Sequence, residues 1–105
     1  MLLVRAIVRP EKSGAVMSEL AAAGFPAITK MDVFGRGKQK GITVGEVTYD
    51  EIPKDMLLVV CNDKDDLVKI IIRTARTGQG TFGDGRIFVS AVESAYTIST
   101  GASGL

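Results

Sequence analysis

The chain has 105 residues, enough for one domain with a modest core, and small domains of this kind often gain stability by oligomerising. A formal net charge of +1 gives no broad basic surface for nucleic acid, and a single cysteine, Cys61, excludes an internal disulfide. There is no histidine, which removes the commonest general base, the commonest metal ligand and any phosphohistidine chemistry. With no Trp, two Tyr and four Phe, base stacking also has little to work with.

Leu2 to Val8 alternates as a strand, with Leu2, Val4, Ala6 and Val8 on one side and Leu3, Arg5 and Ile7 on the other. The opening run MLLVRAIVRP is too short and lacks the charged leader expected of a signal peptide, and no apolar run is long enough to span a bilayer. These readings predict a soluble, cytoplasmic protein. Pro10 suits the first position of a helix, Val16, Leu20 and Ala23 give it an apolar stripe, and Gly24 stops it.

Ala27 to Phe34 reads as a second strand. Gly35 to Lys54 then forms a long connection with three further glycines and no clear period, a length that is usually functional or disordered in so small a domain. Its plainer reading is the tip of a β-hairpin. Asp55 to Cys61 is apolar on both faces and predicts a strand buried on both sides. Asn62 or Asp63 caps a second helix, whose Leu67, Ile70, Ile71 and Thr74 share a face and whose last turn carries Arg73 and Arg76 before Gly78.

Between that helix and the fourth strand, Arg86 to Val92, lies TGQGTFGDGR, residues 77–86. Glycines let backbone N–H groups approach a ligand closely, successive N–H groups can form a concave anion site, and Arg86 adds a permanently charged fork of donors. The pattern fits a phosphate cradle, but composition alone favours an ordinary glycine-rich turn. Glu93 to Gly101 reads as an extended tail and residues 102–105 as frayed.

The predicted fold is α+β, a ferredoxin-like βαββαβ chain of one domain, residues 1–105, with both helices on one face of an antiparallel sheet. The strands carry apolar residues on the other face as well. Its economical cover is further copies of the same chain, since each large aliphatic side chain buried gives roughly 1.5–3 kcal/mol against about 0–1 kcal/mol for a surface ion pair.

Several stretches, in order and at nearly the right spacing, resemble the PII signal-transduction family from Met1 to Gly101. RAIVRP resembles its opening, FGRGKQKG from Phe34 to Gly41 the start of its long T-loop, Pro53-Lys54 that loop's end, and GDGRIFV its B-loop. The run from Gly37 to Leu57 is closest to the nitrogen-fixation branch, the first of two paired PII-like proteins. The resemblance implies a trimer with a T-loop at about residues 37–54, binding ATP or ADP between subunits. Gly83, Asp84, Gly85 and Arg86 would hold phosphates, Gly35, Gly37 and Lys38 would approach from the loop base, and Ile7, Thr29 and Val60 would line the adenine pocket.

The same resemblance gives Gln39 to Mg²⁺ and to 2-oxoglutarate, and Lys54 to a carboxylate of that effector. It implies a regulator, not an enzyme, that contacts the molybdenum-iron component of nitrogenase, as a homotrimer or in a mixed assembly with a paralogous PII-like protein. Thr97 and Ser99 stand where the family usually has phosphate-binding arginines, the B-loop is lengthened by Gly80, Thr81 and Phe82, and Tyr49 is not placed for uridylylation. The alternatives are a general regulator of ammonium transport or nitrogen assimilation, a small phosphate-handling enzyme on the same fold, and an RNA-binding module of the same topology.

Overall fold

The computed structural model describes residues 1–36, 42–44, 47–49 and 51–105. Alternation in the first strand, β1 (Leu2–Val8), sorts its side chains as the sequence predicts: Val4, Ala6 and Val8 are buried, while Arg5 is exposed and Ile7 half-buried. Helix α1 (Pro10–Ala22) starts on Pro10 with Glu11 in its first turn and buries Ser13, Val16 and Leu20. Strand β2 (Thr29–Gly35) follows. The long connection holds two short paired strands, β3 (Ile42–Val44) and β4 (Val47–Tyr49), as the hairpin reading anticipates.

Strand β5 (Ile52–Cys61) starts three residues earlier than alternation suggests, because Ile52, Pro53 and Lys54 continue the pairing with Gly35, Phe34 and Val33 on β2. Pro53 is compatible with this because it lies near the strand's start, where a missing N–H costs little. Helix α2 (Asp65–Ala75) begins with the Asp63 carboxylate accepting the Asp65 N–H at 2.9 Å, and ends at Ala75, three residues short of Gly78. Strand β6 (Gly85–Ala91) completes the chain's regular elements. After it, Thr97 N–H donates to the Ala102 carbonyl at 2.9 Å and Gly104 N–H to the Ala95 carbonyl at 2.9 Å.

The main sheet runs β2-β5-β1-β6 with every neighbouring pair antiparallel, the ferredoxin-like arrangement. One face carries Val4, Ala6, Val8, Leu57, Val59 and Cys61, and onto it pack Val16 and Leu20 of α1 and Leu67, Ile71 and Ala75 of α2. Leu20, Leu57, Leu67 and Ile71 are fully buried, each contributing roughly 1.5–3 kcal/mol. The other face has no helix. Within one chain Val60 is 39 % exposed there and Phe88 49 %, so the doubly apolar β5 is buried on one side only.

Asp55 closes the covered face next to the long connection. It is buried, with Lys30 Nζ 3.5 Å from its carboxylate. A hydrogen bond from the Ser13 hydroxyl, against the opposing effect of burial, and the nearby Lys30 charge hold its pKa below the usual carboxylate range.

Val8 pairs with Gly85, and Gly85 has φ +122°, where a Cβ would lie 1.8 Å from the Ile7 carbonyl oxygen. A side chain here must displace backbone and also adopt a conformation that L-residues avoid. Gly85→Ala is expected to destabilise the fold by upwards of about 3 kcal/mol, read as a lowered urea midpoint with an unchanged slope.

Candidate functional site

The segment from Thr77 to Asp84 is built on one carboxylate. Asp84 Oδ2 accepts the backbone N–H of Thr77 at 3.1 Å and of Thr81 at 2.8 Å, and Oδ1 accepts the Thr77 hydroxyl at 2.7 Å. Two turns fill the interval, closed by Gly80 N–H to the Thr77 carbonyl at 2.9 Å and Asp84 N–H to the Thr81 carbonyl at 3.1 Å. Burial alone would raise the pKa of Asp84, but the hydrogen bonds from Thr77, Thr81 and Arg9 outweigh it and hold the carboxyl well below the usual range.

Cations surround this carboxylate. Arg9 Nε lies 3.2 Å from Asp84 Oδ1, and Arg9 Nη2 donates to the Phe82 carbonyl at 3.1 Å. The Lys54 ammonium donates to the Gly83 carbonyl. Partial burial, followed by the Arg9 charge, lowers the Lys54 pKa below its ordinary value. Gly83 has φ +96°, and a Cβ there would stand 3.2 Å from Arg9 Nη2 and 3.7 Å from Lys54 Nζ, so the residue is hemmed in by both cations. Arg86 is exposed and forms no ion pair among the described residues.

The register shows how the residues singled out in the sequence are distributed. Ile7 pairs with Arg86 on one side and Met56 on the other, and Met56 pairs with Met31, so these four form a row on the uncovered face. Gly35 approaches Lys54, whose Cγ would be 3.8 Å from a Cβ on that glycine. Gly35, Lys54, Gly83 and Asp84 thus form one continuous cluster, with Ile7 and Arg86 on the adjacent row. An open cleft of about 550 Å³ between α2 and β6 reaches Ile7, Asp84, Gly85 and Arg86.

Thr29 and Val60 are on the same uncovered face, but not at the loop. Thr29 pairs with Leu58 on the outer strand, three strands from β6, which is roughly 14 Å at ordinary strand spacing. Val60 pairs with Leu3, toward the other end of the sheet. Gly37, Lys38 and Gln39 lie outside the described residues. Among the described residues no three His, Cys, Asp or Glu side chains group as a metal site, and no helix is long and apolar enough to cross a membrane.

Arg9 is the residue the sequence reading missed at this site. It sits inside RAIVRP, yet its partners are 73 and 75 residues away. The signal was local and negative: Arg9 occupies the N-cap of α1 with no side-chain cap hydrogen bond, a position where Ser, Thr, Asp or Asn is preferred.

An acid dependence follows from the two depressed carboxyls. The unfolded carboxyl pKa is about 3.9 and the folded values lie lower, so between them the unfolded chain binds protons that the folded chain does not. Stability from Asp55 and Asp84 is therefore complete above about pH 5 and is lost as pH falls below about 4. Thermal melts over that interval should show the loss, and Asp84→Asn should flatten part of it while lowering stability near neutral pH by about 2 kcal/mol.

The family model for nitrogen regulatory protein P-II matches residues 1–102. The chain is 52 % identical over 105 residues to "Nitrogen fixation nifHD region GlnB-like protein 1" of Methanothermobacter marburgensis, covering all of both chains. It is 53 % identical over 107 residues to "Nitrogen fixation nifHD2 region GlnB-like protein 1" of Methanosarcina barkeri, again covering both completely. "Nitrogen regulatory protein P-II 2" of Methanothermobacter thermautotrophicus is 42 % identical, with 94 % of this chain and 90 % of that one aligned. With its fold, its glycine-rich loop and these full-length likenesses, the chain belongs to the P-II family of nitrogen regulatory proteins.

Proposed function

We propose that this chain is a nitrogen-regulatory signal protein that binds ATP or ADP together with 2-oxoglutarate and controls nitrogenase through its long connecting loop. The observation that carries the reading is the meeting of Lys54 with Gly83. The root of the long connection touches the glycine-rich loop, so whatever binds at one can be felt at the other. Nitrogen-fixation wording in the names of the full-length relatives supports nitrogenase as the target. The 42 % likeness to a protein named only for nitrogen regulation supports the second reading, a general regulator of ammonium transport or assimilation.

In the proposed site, Gly83, Asp84, Gly85 and Arg86 face the phosphates, with Gly35, Gly37 and Lys38 at the loop base. Ile7 with Thr29 and Val60 would line the adenine pocket. Thr29 and Val60 are too far from the loop within one chain, which fits a pocket completed by a neighbouring subunit. The uncovered apolar face supplies a reason for a trimer, or for a mixed assembly with a paralogue. Gln39 would give its oxygen to Mg²⁺, which supplies the positive charge that lets a dianion lie beside a triphosphate. Lys54 would pair with a carboxylate of 2-oxoglutarate.

Only a difference in affinity between two poses of the long connection can convert binding into control. Lys54 supports such a difference, because it can give its ammonium to the Gly83 carbonyl or to an incoming carboxylate. Titration calorimetry with Mg-ATP is expected to show binding that strengthens when 2-oxoglutarate is present. Arg86→Ala should weaken it by about tenfold or more, the scale of one charge-assisted contact. Independent binding of the two ligands, or sedimentation of the ligated protein as a single chain, would contradict the reading.

A further inference from the structure

We propose that Arg9 is the positioning residue of the anion site: by bonding Asp84 and the Phe82 carbonyl together it sets the pose of Gly83, and so governs how well the loop accepts a phosphate or carboxylate ligand. This rests on the ligand-binding reading given above. Arg9 acts through the loop, from behind it.

Three observations converge. First, the residue is poor for its local position. It caps a helix N-terminus with a cation, where the helix dipole disfavours positive charge and a side-chain acceptor is wanted, and it makes no capping bond. Its side chain turns to the loop instead. Second, the contacts are divided between two parts of the loop. Nε takes the Asp84 carboxylate and Nη2 takes the Phe82 carbonyl, so one rigid fork spans the residues that flank Gly83. Lysine carries a single ammonium and cannot reproduce that planar span. Third, the Arg9 side chain is three-quarters shielded from solvent, and its Nη2 lies so near Gly83 that a Cβ there would stand only 3.2 Å away. The contact is therefore part of the packed loop.

Lys54 links this contact to ligand chemistry. It holds the Gly83 carbonyl, and partial burial followed by the Arg9 charge lowers its pKa. Among the described residues the charges acting on Lys54 are those of Arg9, Glu11 and Asp84, of which the two carboxylates raise its pKa and Arg9 opposes them. Removing the guanidinium would release the loop and would also leave Asp84 with a surplus of negative charge beside the ligand.

The experiment compares wild type with Arg9→Met and Arg9→Lys by Mg-ATP calorimetry, urea unfolding and amide exchange. Arg9→Met should bind Mg-ATP about tenfold more weakly, and Arg9→Lys should recover only part of the loss. The Thr77 and Thr81 amides, which donate to Asp84, should exchange at least about tenfold faster while Val4 and Leu57 keep their protection. If both variants bind as wild type does, Arg9 has no positioning role. If exchange quickens equally at Thr81 and Leu57, Arg9 serves global stability only and the proposal is again overturned. Should Arg9→Met fail to fold, Arg9→Lys alone decides by the same criteria. A wild-type chain that takes up no nucleotide overturns the ligand reading itself, an outcome distinct from the other two.

Discussion

The carboxylate of Asp84 is the constraint on which the candidate site depends. A ten-residue passage with four glycines has little reason of its own to hold one shape, since glycine loses more backbone freedom on ordering than any other residue. One part-buried anion bonded to two backbone amides, a hydroxyl and a guanidinium supplies that reason. Hydrogen bonds to a charged group are worth about 1.5–3 kcal/mol each, enough together to offset the ordering of several residues. Asp84 thereby turns a flexible sequence into a surface with a defined set of donors.

The sheet sets where that surface faces. Helices α1 and α2 cover one side, and alternation sends Ile7, Met56, Leu58 and Phe88 to the other. Two kinds of residue therefore share the uncovered face: apolar side chains that favour contact with another molecule, and the charged Lys54 and Arg86 at the end next to the glycine-rich loop. A partner seated on the apolar rows would come to the edge of that charged end. Burial for assembly and access for a ligand are thus adjacent consequences of one register, which gives the proposed intersubunit site a physical basis.

Much of this was legible in the residues. Period-two alternation in Leu2–Val8 and the apolar stripes of both helices follow from burial, and burial fixed the architecture. The glycine-rich stretch stood out because its chemistry is local, whereas Lys54 was singled out by the family resemblance. The role of Asp84 did not stand out. Beside Gly83 and Gly85 it reads as a turn former, and its employment as an internal anchor depends on how the loop folds Thr77 and Thr81 back onto it and on Arg9, 75 residues away. Likewise the start of β5 was hidden by Pro53 and Lys54, whose polarity and missing donor resemble a loop until the partner strand is known. In both cases part of the deciding contact came from another element: Arg9 for Asp84 and strand β2 for the start of β5.

The charges around Gly83 finally favour one class of ligand. Arg9, Lys54 and Arg86 stand around the loop against the carboxylates of Asp84 and Glu11, and Asp84 is already engaged by four donors. At separations near 4 Å and an effective dielectric constant of about 20, two unit charges interact by about 4 kcal/mol, so an excess of one cation is enough to make a preference for an anion. Asp84 could be expected to repel that anion. Its own hydrogen bonds are what prevent this: Thr77, Thr81 and Arg9 satisfy the carboxylate, which leaves the charges of Lys54 and Arg86 for the ligand. A site that needs an acidic residue to keep its shape can accept an acidic ligand only if the first anion is fully satisfied by the protein, and here it is.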